Sequence, residues 1–327
     1  MRIGSSEHLD LLCREFIDTH KTFEPAELPW PALTEDEIAR LRGLPFWDEA
    51  IRTERMTGAK VAAYARLESP ALLREAVALQ GYEEQRHARL LETMIARYAI
   101  AVDPGPQQPL PRNLEAAFLR TGYGECIDSF FAFGLFALAR DVDFVPRALV
   151  DLFEPIVQEE ARHILFLVNW AAYKRRQLPP LLRLVHVGRC LAAFTGAAYD
   201  RARSAGNVAR GTGGGTGTVP AGSGNGPSGN GSGTTAGGNG TRGAAPPVSK
   251  GGNGPGACAP VSKDGFTATG ARAIVEGLSV RSFVARCLEE NDRRFAPYDP
   301  RLLRPRAVPA LARAFLRVAL LGRTRAA

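Results

Sequence analysis

The sequence predicts an all-α fold: a helical bundle, then a long glycine-rich linker and a basic helical C-terminal region. Apolar residues recur at helical spacing over four long segments, and no segment alternates with the period of two that a strand requires. Residues 211–256 contain 19 glycines and no aromatic residue, so little apolar surface is available to offset the entropy lost on ordering. We therefore expect a helical bundle with an N-terminal helical extension at 1–204, a disordered linker at 205–265 and a basic helical tail at 266–327.

Four long helices are expected in the N-terminal unit. Thr34 and Glu37 fit a capping box, which marks a helix start ahead of the first of them. The four segments cover about residues 47–68, 72–98, 114–140 and 146–176. Pro155 lies inside the fourth segment and removes a backbone hydrogen bond, so we expect a kink or a restart there. Further helices are expected at about 181–204, 270–291 and 307–321.

The composition is typical of a soluble protein, with 45% hydrophobic and 23% charged residues. The five cysteines are scattered and include no C-x-x-C pair, which argues against a disulfide framework or a cysteine zinc site and fits a reducing cytoplasm. No signal-peptide pattern is evident at the N-terminus. The most apolar run, FFAFGLFALA, is about half as long as a membrane-spanning helix needs to be. We therefore expect a cytoplasmic protein.

The formal net charge of +7 comes from the C-terminal part of the chain. Residues 1–204 hold 25 Lys+Arg against 28 Asp+Glu, whereas residues 205–327 hold 16 against 6. Arginines alternate with leucines and valines over residues 301–325, a pattern that fits contact with an anionic membrane surface or an acidic partner. The alternative is that this segment packs on the bundle and exposes its arginines.

Two short motifs, EEQRH and EEARH, carry the functional signal. On helices, Glu84 and His87 lie on the otherwise apolar inward face of the second segment, and Glu160 and His163 repeat this arrangement on the fourth. A carboxylate buried without a partner destabilises the fold by roughly several kcal/mol, because the charge loses its hydration. Two facing Glu-x-x-His pairs therefore need cations, and metal ions can supply them.

The first and third helices each offer one inward carboxylate. Glu54 lies 30 residues before Glu84, and Glu125 lies 35 residues before Glu160, so each gap fits half a helix, a turn and half a helix. Glu68 is an alternative to Glu54, but it lies near the helix end. The six side chains can meet at one level, as in di-iron and di-manganese carboxylate bundles.

With these residues in register, the sequence resembles the ferritin-like di-iron carboxylate superfamily over about residues 45–177. The E-E-x-R-H form is similar to the motif of its oxygen-activating members, the soluble bacterial monooxygenases and acyl-carrier-protein desaturases. The resemblance implies a ferritin-like four-helix bundle with extra helices. It also implies the metal ligands Glu54, Glu84, His87, Glu125, Glu160 and His163.

The resemblance further implies roles for neighbouring residues. The acid before each ligand glutamate would orient the histidine of the opposite motif, and the arginine of each motif would neutralise that acid. These support residues are Glu83, Arg86, Glu159 and Arg162, and a solvated helix face is their alternative. Ser129, one turn after Glu125, stands where a hydroxyl could assist proton delivery, or it bonds back to a helix carbonyl. Glu84 and Glu160 would bridge the metals.

Loops around a substrate pocket would have to be short or come from residues 1–45 and 181–204. Five large side chains near the motifs could line an apolar pocket, but core packing is the role expected for most of them. They are Tyr82, Tyr123, Phe130, Phe131 and Phe166.

Carboxylates with one imidazole per metal suit redox iron, with manganese as a second possibility. The leading hypothesis is a cytoplasmic non-haem di-iron oxidoreductase that activates O2 to hydroxylate, desaturate or N-oxidise an apolar small molecule or a carrier-linked substrate. No flavin or iron–sulfur motif is visible, so an external electron donor is expected. One alternative is a ferritin-like iron-binding or ferroxidase protein without an organic substrate. The other is a metal-free helical scaffold that forms a homodimer or binds a membrane through its tail.

Overall fold

The computed structural model describes residues 1–44, 46–103, 105–211 and 279–324, with side chains for all of these except 204–211 and 319–324. Within these residues the chain forms α-helices, one short 3₁₀ turn and no strand, which confirms the predicted all-α class. The helices are α1 (Ser6–Asp18), α2 (Glu35–Arg42), α3 (Trp47–Ala65), α4 (Ala71–Arg97), α5 (Leu114–Asp141), α6 (Arg147–Leu152), α7 (Glu154–Gln177), α8 (Pro180–Gly211), α9 (Val280–Phe295) and α10 (Ala307–Thr324).

Helices α3, α4, α5 and α7 form the central bundle. A short connection makes α3 and α4 an antiparallel hairpin, and their backbones approach closely at Gly81, where a Cβ would lie 2.8 Å from the Ala62 nitrogen. Between the helices the core is built from fully buried side chains such as Leu73, Phe118 and Trp170. The capping box at the start of α2 is present as predicted.

The predicted fourth helix is divided in two. The backbone leaves helical hydrogen bonding at Phe153, which ends α6 and precedes α7. Pro155 lies in the first turn of α7, where its missing N–H has no helical partner to lose. The expected restart at this proline is therefore confirmed.

Helix α1 lies in the N-terminal helical extension expected from the sequence, and it covers one side of the bundle. Ser5 caps its N-terminus by accepting a hydrogen bond from the His8 backbone N–H. Its inner face buries Leu12, Cys13 and Phe16, and it packs against α4 and α7.

Helix α8 packs on α5 along one face and leaves the other exposed. Phe194 makes an edge contact with Tyr123, and Ala197 is fully buried. By length and composition alone, the stretch Pro180–Arg203 could cross a membrane, and only 17% of its most apolar window is buried. A single such helix is weak evidence for a membrane span, and the cytoplasmic location stays a prediction.

The C-terminal helices lie against the bundle. Arg294 of α9 is 2% exposed and pairs with Glu154 of α7 at 2.6 Å, while Cys287 packs against Gly134 of α5. In the arginine-rich segment itself, α10 buries Val308 and Ala312 in one cluster with Ile127 and Phe130 of α5, as the packing alternative expects. A membrane or acidic-partner contact by the tail stays a prediction. Helix α8 continues to Gly211, so the predicted boundary at 204 falls within a helix. The rest of the predicted linker, and residues 270–278 of a predicted helix, lie outside the described residues.

Candidate metal centre

Helices α3, α4, α5 and α7 meet at one level, where the six predicted ligand side chains come together. His163 Nδ1 lies 2.9 Å from Glu84 Oε1 and 3.9 Å from Glu160 Oε1. His87 Nδ1 lies 3.2 Å from Glu160 Oε1 and 3.9 Å from Glu84 Oε2. Glu54 Oε2 reaches within 3.8 Å of the same His87 nitrogen. The two imidazole ring centroids are 5.7 Å apart.

Two overlapping groups of potential ligand atoms result. One group is Glu54, Glu84, His87 and Glu160, and the other is Glu84, Glu125 and His163. In each group, one atom from every residue lies within 4.8 Å of the others. Glu84 belongs to both groups and Glu160 approaches both histidines, whereas Glu54 and Glu125 each belong to one. The bundle therefore holds a buried carboxylate and histidine cluster compatible with a di-iron site.

Each imidazole is held from behind by the acid of the opposite motif. His163 Nε2 lies 2.9 Å from Glu83 Oε2, and His87 Nε2 lies 2.9 Å from Glu159 Oε2. A histidine that donates its Nε2–H to a carboxylate presents the lone pair of Nδ1 on the other side of the ring, toward the cluster. The structure thus pairs the acids and histidines as the resemblance implied.

The two motif arginines lie behind these acids. Arg86 Nη2 donates to Glu159 Oε1 at 2.6 Å, and Arg162 contacts Glu83. All four side chains are at most 4% exposed. Burial alone would raise the pKa of Glu83, but its contacts with His163 and Arg162 hold that pKa well below the ordinary range. The acids are therefore ionised and fully paired.

The N-terminal segment completes this support, which the sequence did not predict. His20 Nδ1 contacts Glu83 from the surface side. The backbone carbonyl of Lys21 accepts a hydrogen bond from Arg86 Nη1 at 2.6 Å, and the Phe23 ring lies 4.0 Å from the same guanidinium. No pattern around His20 marks it in the sequence, since its contact with Glu83 joins residues 63 positions apart.

The concentration of acids shifts the pKa values of the cluster. Burial raises the pKa of Glu54 to about 8, with the nearby His87 opposing the shift and Glu84 adding to it. Burial and the charges of Glu84 and Glu160 raise the pKa of Glu125 well above its usual range. Burial alone would lower the pKa of each histidine, but the surrounding carboxylates raise it well above 6.5. Several ligand groups therefore hold protons near neutral pH, and metal binding has to displace them.

With each histidine proton on Nε2, four buried polar atoms of the cluster have no hydrogen-bond donor among the described residues, because even the close His163 Nδ1 and Glu84 Oε1 are then both acceptors. They are Glu84 Oε1, Glu125 Oε1, His87 Nδ1 and His163 Nδ1. Buried polar atoms without partners are rare in folded proteins, and an ion is one of the explanations for them. All four belong to the two ligand groups, and mixed carboxylate and imidazole donors suit iron and manganese. The residues present therefore fit a pair of metal ions.

Glu68, the alternative to Glu54, lies away from the cluster and has partners of its own. It accepts hydrogen bonds from Tyr64 Oη at 2.5 Å, from Trp170 Nε1 at 2.7 Å and from Lys174 Nζ at 3.0 Å. These contacts explain how a carboxylate can be buried there without a metal. Glu54 is the α3 carboxylate that reaches the cluster.

A cavity of about 1150 Å³ lies between α3 and α5 and reaches the cluster. The predicted site residues at its wall are Glu54, Glu84, His87, Glu125, Ser129 and Glu160. Its apolar end is lined by residues such as Leu41, Trp47, Met94, Phe136, Leu149 and Phe153. Its other end is polar, with Lys60, Arg120, Asp128, Asp200 and Arg201.

The chain segments expected to supply pocket loops do border this cavity, through Leu41 and Leu44 on one side and Asp200 and Arg201 on the other. The five large residues near the motifs do not line the cavity, in line with the packing role expected for most of them. They are Tyr82, Tyr123, Phe130, Phe131 and Phe166. They pack elsewhere, as Phe166 does against Phe16 of α1.

Comparison of the chain with protein-family models, curated proteins and solved structures finds no match. The helical fold and the buried cluster are compatible with a di-iron site, while membership of the ferritin-like superfamily stays an inference from the motifs. The chemistry of the site is therefore inferred from its own geometry.

Proposed function

We propose that this chain is a non-haem di-iron oxidoreductase that activates O2 to oxidise an apolar organic substrate. The observation that carries the proposal is the position of the buried cluster at the wall of a large, mainly apolar cavity. A protein that only oxidises iron needs a route for ions and has no use for an apolar volume of this size. Hydroxylation, desaturation and N-oxygenation all fit the arrangement.

The two ligand groups divide the metal-binding work in this proposal. Glu54 and His87 would hold one ion, and Glu125 and His163 would hold the other. Glu84, which belongs to both groups, and Glu160, which approaches both histidines, would be shared. When bound, a pair of ferrous ions supplies the electrons that reduce O2. Manganese accepts similar donors and is the alternative metal. Because the sequence shows no flavin or iron–sulfur motif, the electrons would come from an external donor.

The protein's own residues would orient the ligands and handle protons. Glu83 and Glu159 keep the Nδ1 atoms of the histidines directed at the cluster. Ser129 Oγ donates to Glu160 Oε2 at 3.3 Å and borders the cavity, so its hydroxyl can hold a proton between this carboxylate and a bound substrate. The apolar wall excludes water from the same space, which limits side reactions.

Metal analysis of the purified full-length chain tests the site. We expect two irons per chain after anaerobic loading, and loss of iron in Glu84→Ala and in His163→Ala. Glu75→Ala removes an exposed acid from the same helix as Glu84 and should keep the wild-type iron content. Circular dichroism checks that each variant is folded. A folded wild-type chain that takes up no metal would refute the proposal.

Oxygen uptake separates an oxygenase from a ferroxidase. The reduced, iron-loaded protein should consume O2 and convert an added apolar substrate into an oxidised organic product. Uptake that yields only ferric iron, with no organic product from a panel of apolar compounds, would favour the ferroxidase alternative.

A further inference from the structure

The lining of the cavity changes from apolar to charged along its length, and two facing helices show the same order. On α3, one face borders it at steps of three and four residues, through Trp47, Ala50, Glu54, Thr57 and Lys60. This face therefore runs from an apolar end, past a predicted metal ligand, to a cation.

Helix α5 runs in the opposite direction and repeats the order. Phe136 and Ala132 border the apolar end, Glu125 lies at the cluster, and Thr121 and Arg120 border the polar end. Because a helix rises about 1.5 Å per residue, the cationic groups lie about 8–9 Å along the axes from the cluster level. The apolar end extends about 10–16 Å to the other side.

Lys60 is the cation of the polar end that has no ion-pair partner among the described residues. Arg120 pairs with Asp200 at 2.5 Å, and Arg201 pairs with Asp128 at 2.5 Å, so these four charges balance. Lys60 is half-buried beside them and forms no ion pair or hydrogen bond with any residue that the structure describes. Among the described residues of the polar end, Lys60 therefore carries a positive charge that no ion pair compensates.

The negative charge that acts most on Lys60 is that of Glu125, while burial and the two arginines lower the pKa of the lysine. Under the proposed function Glu125 is a metal ligand, and its charge is then shared with the metal. At the opposite end of the cavity, the described charged residues Glu49 and Arg52 pair with each other. An anion from outside the protein is the natural counter-charge for Lys60.

We propose that the substrate is an amphipathic anion whose carboxylate binds Lys60 and whose apolar body passes the cluster into the apolar end of the cavity. A charge-assisted hydrogen bond to a half-buried ammonium is stronger than a neutral one. The apolar lining matches a hydrocarbon body. The axial distances require an elongated molecule, with the carbon that faces the metals about 9 Å from the carboxylate. The inference rests on the proposed function for its reaction, but binding can be measured without turnover.

Equilibrium binding of decanoate and decanol to the full-length chain tests this head-group site. The two probes have the same carbon chain and differ in charge. Lys60→Met should weaken decanoate binding about tenfold or more, the equivalent of about 1.4 kcal/mol, and should leave decanol binding unchanged. Lys60→Arg keeps the charge and should keep decanoate binding. Arg66→Met, which removes an exposed cation at the end of the same helix and away from the cavity, is the control and should bind both probes as the wild type does.

Decanoate binding that is unaffected in Lys60→Met, or a wild-type chain that does not bind decanoate, would overturn the inference. Unchanged decanol binding shows that the cavity of the variant is intact. Lys60-dependent decanoate binding by a chain that holds no iron would refute the proposed function and leave the head-group site standing. A chain that holds two irons and consumes O2, but binds decanoate independently of Lys60, would support the proposed function and refute the carboxylate site at Lys60.

Discussion

Replacing Glu83 with alanine tests whether a buried acid outside the ligand set stabilises both the bundle and the metal position. The Glu83 side chain is fully buried, and it binds His163 Nε2 and the Arg162 guanidinium. Arg162 itself is only 3% exposed, so its charge would have no water to compensate it. Removal of one member of a buried ion pair costs about 3–5 kcal/mol, compared with about 1 kcal/mol or less for a surface pair. We therefore expect Glu83→Ala to lower the free energy of unfolding by about 3–5 kcal/mol.

Denaturant unfolding measures this loss as a shift of the midpoint at constant slope. In a thermal scan, about 2–4 °C per kcal/mol corresponds to a fall of about 6–20 °C in Tm for a domain of this size. Iron affinity should fall as well, by about 10–100-fold, because His163 would lose the carboxylate that orients it.

A double variant separates the unpaired charge from the cavity that alanine leaves. Glu83→Ala combined with Arg162→Met removes both charges, and it should be more stable than Glu83→Ala alone. Glu75→Ala, an exposed acid on the same helix, should change the free energy of unfolding by less than about 0.5 kcal/mol. A loss of less than about 1 kcal/mol in the free energy of unfolding of Glu83→Ala would contradict a buried ion pair at this position. So would a double variant that is less stable than Glu83→Ala alone.

Metal affinity should rise with pH, because burial raises the pKa of Glu54 to about 8 and the carboxyl must lose its proton to bind a metal. Competition titrations with a metal indicator at several pH values measure this affinity, and a constant value would contradict the prediction. Gly81→Val should destabilise the chain by about 1–3 kcal/mol, because a Cβ at this position would lie 2.8 Å from the Ala62 nitrogen; an unchanged urea midpoint would argue against this close contact. Cys13 and Cys287 should resist alkylation in the native protein at mildly alkaline pH, because burial raises the pKa of each thiol to about 12; rapid labelling in peptide mass spectrometry would show that they are accessible.

The meeting of six side chains was predictable because it depends on regular local geometry. Glu84 and His87 share a helix face since residues three apart are neighbours on an α-helix. The level of Glu54 relative to Glu84 follows from the lengths of two helices and a short turn. Pro155 likewise marked the restart of a helix, because proline lacks the backbone N–H that a continuous helix requires. The chemical role of these residues stays a prediction.

The contacts from outside the bundle were not predictable in this way. His20 reaches Glu83 only because α1 lies across α4 and α7, and that docking depends on packing between distant segments. The position of the cavity has the same origin, since tertiary packing decides where two helix faces separate. Phe166, close to a motif, therefore became core beneath α1, whereas Trp47, at a helix start, lines the cavity.

The crossed contacts between the two motifs give a single chain the pattern of a two-fold symmetric interface. Glu83 holds His163 and Glu159 holds His87, as equivalent residues do when two identical subunits pair face to face. Two ions bound there would have nearly equivalent surroundings from the repeated part of the chain. Any functional difference between them would have to come from unrepeated residues, such as the histidine of the N-terminal segment and the serine beside Glu160. Different functions of the two metal positions would then depend on residues outside the motifs that form these positions.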